Sequence, residues 1–183
     1  MTEQARTSRV LIGLIVSMTI GAVVLMALEN GPVAGGAFSL SVYLDNDSVE
    51  KVVTGGVTLN RKAWGRIEVY YSGTISGNAR ELAILNGLTS GQDLNAHFVV
   101  CNNNGGKDGQ IERTERWELQ RPCLPDGQWR GTADTIRICV VGDITRRPPT
   151  ECQMRRVDEL VEMLRNELRL DKRSVIWPAN WRM

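Results

Sequence analysis

The chain has 183 residues, enough for one domain with a proper core and too few for two of ordinary size. Lysine and arginine together number 22 against 21 aspartate and glutamate, and beyond the first nine residues acids and bases balance. This lacks the basic excess of a nucleic-acid binder, and no nucleic-acid partner is expected.

Residues 10–28, VLIGLIVSMTIGAVVLMAL, contain no charged side chain, and their length approaches the ~20 residues that carry a helix across a bilayer. The tail before them, 1–9, holds Arg6 and Arg9 against Glu3, which places it on the cytoplasmic side by the positive-inside rule. A single-pass cell-membrane protein is therefore predicted, with 10–28 as transmembrane anchor and the C-terminal domain extracytoplasmic. A cleaved signal peptide is the rival reading. Against it, the apolar run exceeds the usual ~7–15 residues, and LENGPVAGG offers no small-x-small cleavage site directly after it. Residues 29–38, rich in Gly and Pro, read as a linker, which leaves 39–183 as the exported domain. Cys101, Cys123, Cys139 and Cys152 would then meet an oxidising compartment, where at least one disulfide is expected. Of the three pairings that four cysteines allow, Cys101–Cys139 with Cys123–Cys152 is one candidate.

Along the domain, SLSVYL (39–44) could form a first strand. Ile67, Val69 and Tyr71 alternate with Arg66, Glu68 and Tyr70, which predicts a strand. SGNARELAILNGL (76–88) has helical spacing, with Ser76 as N-cap and Ala79, Leu82, Ala83 and either Ile84 or Leu85 facing inward. AHFVVC (96–101) is an apolar strand, and NNNGGKDGQ is turn chemistry in which Asp108-Gly109 leads a hairpin into IERTERW. TIRICVVGD (135–143) is another apolar strand. The clearest helix runs over 150–170 behind Pro148-Pro149, with Thr150 and Gln153 as a capping box. Its predicted buried stripe is Met154, Val157, Val161, Leu164 and Leu168. SVIW (174–177) is a last short strand. Strands alternating with helices predict an α/β domain, a central mixed β-sheet flanked by helices.

Five strings, WGRIEVYYSGT, NAHFVV, DGQIERTERWELQ, IRICVVGD and PTECQMRRVDELVEML, run in this order between about Trp64 and Trp177. In that order they resemble the successive motifs of the type-2 N-acetylmuramoyl-L-alanine amidases and the related peptidoglycan recognition proteins. The resemblance implies that fold. It also implies a zinc held by two histidines and a third ligand, often cysteine, polarising an amide carbonyl and activating a water. Here the implied first ligand is Tyr70, with Tyr71 as its neighbour. The second falls among Ile176 to Pro178, the third beyond it where no cysteine stands, and the implied catalytic tyrosine is Ala96. His97 matches an ordinary neighbour of that tyrosine. No catalytic residue, metal or other cofactor is therefore expected.

What the resemblance leaves is a binding cleft: Tyr70, Tyr71, Ser72, His97, Arg116, Trp117 and Trp177. Aromatic faces suit sugar rings and apolar peptide stems, and an arginine suits a carboxylate. The plainer alternatives are that Tyr70 and Trp177 fill the volume of the lost metal site, that Trp64 and Trp117 are core, and that His97 is a hydrogen-bonded core histidine. Three functions follow. The first is a membrane-anchored, non-catalytic amidase-like domain binding peptidoglycan or an envelope protein. The second is an active amidase of unorthodox site, and the third a structural envelope protein using the fold for assembly only.

Overall fold

The alternation at 66–71 does form a strand, β1 (Arg66–Tyr71), with Ile67 and Val69 buried on one face and Glu68 and Tyr70 turned to the other. The computed structural model describes residues 16–19, 46–89, 94–125, 129 and 131–181. The chain divides into an N-terminal unit, Met1–Leu40, and a larger one, Ser41–Met183, which holds the sheet. Of the predicted anchor only 16–19 are described, and they are helical. The rest of that segment, the linker and the strand expected at 39–44 lie outside the described residues. Among the described residues no helix is long and apolar enough to cross a membrane.

Beside β1 the elements are α1 (Val49–Thr54), α2 (Ala79–Leu85), β2 (Phe98–Val100), β3 (Ile111–Arg113), α3 (Glu115–Glu118), β4 (Thr135–Val140), α4 (Glu151–Leu168) and β5 (Val175–Ile176), the last entered from a 3-10 turn at Lys172–Ser174. The sheet order is β3-β2-β4-β1-β5. Among the described strands only β2 and β3 pair antiparallel, through the hairpin predicted at Asp108-Gly109, where Gly109 takes φ +72°. The other pairs are parallel. The predicted α/β class with a mixed sheet and flanking helices is what the chain forms. β4, at the centre, is buried at every residue, as a strand covered on both faces must be.

Crossover handedness explains the layers. From β1 through α2 to β2 the chain moves one way across the sheet, and from β4 through α4 to β5 it moves the other. Right-handed crossovers in opposite directions put their helices on opposite faces. The larger core accordingly joins Ile67, Val69, Phe98, Ile136 and Ile138 to Val157, Leu160, Val161 and Leu164 of α4. A smaller cluster joins Leu82 of α2 to Ala96, Val99, Cys139 and Val141.

Local signals held where partners are local. Thr150 and Gln153 form the capping box of α4. Its buried stripe differs from the prediction: Met154 is half-buried, while Gln153, Arg156 and Leu160 are buried. Gln153 turns inward because its amide donates to the carbonyls of Val100 and Val141, both at 2.9 Å. In α2 the N-cap is Asn78, not Ser76, its side chain accepting from the Glu81 N–H. Ile84 and Leu85 both face solvent.

All four cysteines are thiols, so neither Cys101–Cys139 nor Cys123–Cys152 is bridged. Strand geometry accounts for the first. Cys139 lies opposite Val99, so Cys101 is two residues further along the neighbouring strand. Strands about 4.8 Å apart with about 3.3 Å per residue set such a diagonal at about 8 Å, beyond the ~4.4–6.8 Å that a disulfide spans. The second pair is split along β2. Cys123 Sγ packs 3.5 Å from His97 Nδ1 before the strand, and Cys152 Sγ lies 3.5 Å from the Asp108 carbonyl oxygen past its end.

Candidate binding cavity

At the C-terminal end of β1, over the α2 face of the sheet, lies a cavity of about 460 Å³. Tyr70, Tyr71, Ser72 and Thr74 form one side of it. Leu82, Leu85, Asn86, Leu88, Leu94 and Asn95 form another, and Trp129, Arg137 and Cys139 its floor. The size is ordinary for a small-ligand site.

The floor is organised by one residue. Arg137 is the one charged side chain of β4, and its register partner on β1 is Glu68. Its Nε donates to Glu68 Oε2 at 3.0 Å and its Nη1 to the Asn95 carbonyl at 2.9 Å. The guanidinium carbon lies 4.3 Å from the Tyr70 ring centroid and 4.2 Å from that of Trp129. Aromatic faces on both sides of a desolvated cation each attract it electrostatically. Glycine is needed at 131, because a Cβ there would fall inside the Trp129 ring.

Ser72 Oγ accepts the N–H groups of Gly142 at 3.1 Å and Thr74 at 3.2 Å, and shares a 2.8 Å hydrogen bond with Thr74 Oγ1. It ties the loop after β1 to the end of β4. Burial pushes the Tyr70 phenol well above its usual value, with the Cys139 sulfur beside it adding to the shift and Arg137 opposing it. Burial likewise pushes the Cys139 thiol up to about 12. Both therefore stay protonated at neutral pH. The lining offers hydrogen-bonding groups, leucine walls and aromatic rings, but no side chain that exchanges a proton near neutrality.

The position that the resemblance assigns to a zinc ligand is occupied by a phenol stacked on a guanidinium. A metal does not fit there. The donor is protonated, the nearest full charge is positive, and among the described residues no three His, Cys, Asp or Glu side chains group as a metal centre requires.

Of the residues singled out in the sequence, Tyr70, Tyr71 and Ser72 meet in this cavity. His97, Arg116, Trp117 and Trp177 do not line it. His97 precedes β2 with its ring fully buried, 4.8 Å from Trp64 and 6.2 Å from Trp117. Trp117 is also fully buried, its Nε1 donating to the Val53 carbonyl at 2.9 Å. Arg116 spans two loops, donating to the carbonyls of Leu94 and Pro122 at 3.2 and 2.9 Å. Trp177 stacks on Trp181 with ring centroids 5.2 Å apart, outside the cavity. Arg137 and Trp129 were not anticipated. The signal that could have found Arg137 was the solitary charge in TIRICVV, matched by the solitary carboxylate in RIEVYY.

His97 carries a prediction. Its Nδ1 accepts the Arg137 N–H at 2.9 Å, and Nε2–H donates to the Arg121 carbonyl at 3.0 Å, so the neutral ring is the one that fits. Burial lowers its pKa from 6.5 to about 4, helped by the charges of Arg116 and Arg137 and opposed by the Arg121 carbonyl. The unfolded chain takes up a proton first. Stability is therefore complete above pH 6.5 and falls as pH drops toward about 4, by about 3 kcal/mol in all from this group. Urea unfolding midpoints measured across that window should decline, and a flat profile in which His97→Gln behaves like the parent would contradict this.

No protein-family model matches the chain, and no curated protein is significantly similar to it.

Proposed function

We propose that the chain is a membrane-anchored, non-catalytic domain of amidase-like fold that binds peptidoglycan at the Tyr70 cavity, from the extracytoplasmic side of the cell membrane. The observation that supports this most directly is the character of the cavity lining. Ser72, Thr74, Asn86 and Asn95 offer neutral hydrogen bonding. Leu82, Leu88 and Leu94 give an apolar wall, with Leu85 exposed at its mouth. Sugar hydroxyls and short apolar peptide stems call for that mixture. The protonated Tyr70 and Cys139 leave the cavity without a base, so binding rather than bond cleavage is the activity proposed.

Sedimentation of the full-length chain with purified peptidoglycan tests the reading. The parent should co-sediment, and Leu85→Glu, which charges an exposed apolar wall without touching the core, should weaken retention roughly tenfold or more. Release of peptide from the peptidoglycan should stay at the level of buffer. Chain left in the supernatant would overturn the proposal in favour of an envelope-protein partner or a purely structural role. Peptide release would restore the reading as an active amidase.

A further inference from the structure

Three segments enter the parallel strands from the same end of the sheet: 57–66 leads into β1, 131–134 into β4 and 167–174 into β5. The N–H groups of Gly65 and Arg66 both donate to the Asp134 carbonyl, at 2.8 and 3.2 Å, and Arg61 reaches Glu167 at 3.1 Å, so the three lie together. Between them they carry six basic side chains, Arg61, Lys62, Arg66, Arg169, Lys172 and Arg173, against three carboxylates. All six are exposed. Each carboxylate already has a local role. Glu167 holds Arg61, Asp171 accepts the Arg173 N–H at 2.8 Å, and Asp134 accepts the Thr132 hydroxyl. Arg169 closes α4 and answers the negative end of that helix. Among the described residues, the side chains of Lys62, Arg66, Lys172 and Arg173 meet no carboxylate at all.

We propose that this end of the sheet docks on a lipid surface that carries anionic headgroups. Charge supplies the first attraction. A basic side chain close to such a surface gains about fivefold in partition, and the carboxylates here are too engaged to cancel it. Apolar exposure supplies the second. Ile176 and Trp177 follow Arg173 by three and four residues and are 48 % and 36 % exposed. Ile176 lies opposite Glu68, two positions along β1 from Arg66, so both stay beside the basic end. Indole and aliphatic side chains next to Lys and Arg settle at the boundary between headgroups and acyl chains. A soluble anion gives Ile176 and Trp177 nothing to enter.

The cations belong to separate segments, and none of them lines the Tyr70 cavity. They suit a plane of charge better than one small ion, which would need them to converge. The cavity opens at the other end of β1. From Arg66 to Tyr71 the strand rises about 17 Å, so the two sites face opposite ways along it. Docking therefore turns the cavity mouth away from the bilayer. That consequence rests on the binding role proposed for the cavity, whereas the docking itself does not depend on what the cavity binds.

The test uses the full-length chain in lipid nanodiscs made of phosphatidylcholine alone or of a mixture with phosphatidylglycerol, both brominated at the start of the acyl chains. Bromine quenches an indole that touches it, and the difference between the parent and Trp177→Phe isolates Trp177. Its fluorescence should be quenched in the discs with phosphatidylglycerol and not in those without. The quenching should fade as salt is raised from about 0.1 M to about 1 M, where the screening length shrinks from about 10 Å to about 3 Å. The triple variant Lys62→Gln, Lys172→Gln, Arg173→Gln changes only exposed side chains without partners and should lose the quenching, since three such steps compound to roughly a hundredfold. It should still sediment with peptidoglycan as the parent does, which separates this proposal from the role of the cavity. Equal quenching in both lipids, or quenching retained by the triple variant, would overturn the docking. So would an indole response to soluble polyphosphate with none to phosphatidylglycerol, which would point to a free anionic polymer.

Discussion

Arg137→Ala should cost the fold about 3–5 kcal/mol, measured as the change in unfolding free energy by chemical denaturation. The Arg137 side chain is 7 % exposed and that of Glu68 18 %, with 3.0 Å between them. Removing the cation takes from the Glu68 carboxylate its 3.0 Å ion-pair partner in a space that water reaches poorly. It also takes a donor from the Asn95 carbonyl and leaves the rings of Tyr70 and Trp129 facing a void. The broken buried ion pair accounts for most of the expected loss, and that is separable. Glu68→Gln combined with Arg137→Met removes both charges while refilling the volume, and should recover most of the stability, since buried pairs add little over apolar packing. A loss from Arg137→Ala below about 1 kcal/mol, the scale of a surface pair, would show that the cluster is solvated and not a built floor.

Trp117→Ala should be as damaging, at about 3–5 kcal/mol for the cavity alone. Trp117 sits in a helix of only four residues, Glu115–Glu118, too short to stand by its own backbone hydrogen bonds. Its ring packs 4.7 Å from Phe98 and 6.1 Å from Trp64, and its N–H caps the Val53 carbonyl near the end of α1. One side chain therefore joins α1 to the sheet through α3. Losing the N–H adds about 1–3 kcal/mol for a buried carbonyl left unpaired. Trp117→Phe isolates that part, because it keeps most of the ring volume, and should cost clearly less than Trp117→Ala. Calorimetric unfolding of the two variants checks the order, and equal losses would mean that the hydrogen bond, not the packing, dominates.

These two residues also show which parts of the molecule were legible in advance. β1 and α4 were, because alternation and a capping box involve residues that are close in sequence. The N-cap of α2 was not. Asn78 is fixed there by distant contacts, its Nδ2 donating to the Gly105 carbonyl at 2.7 Å and the Gly77 N–H donating to the Asn104 carbonyl at 2.7 Å. Gln153 was passed over as a core position because hydropathy does not record the carbonyls of Val100 and Val141 that it serves. In the cavity, Tyr70 was legible from its place at a strand end. Arg137 and Trp129 needed the β1–β4 pairing, which joins residues far apart in the chain. Trp177 was noticed as an aromatic but assigned to the wrong company. Trp181, one helical turn's spacing away, is what it stacks on.

The sheet order bears on the sequence of events at the ribosome. Of the described strands β1 is made first, yet both of its neighbours come late: β4 begins at Thr135 and β5 at Val175. While residues 72–134 are being added, Ile67 and Val69 have neither β4 nor β5 to lie beside. Until Val175 and Ile176 have been made, one edge of β1 stays open. The nascent chain should therefore stay unclosed for most of its synthesis, a state suited to being held by a chaperone or threaded through a narrow passage. A truncation ending before Val175 should leave β1 as an exposed edge.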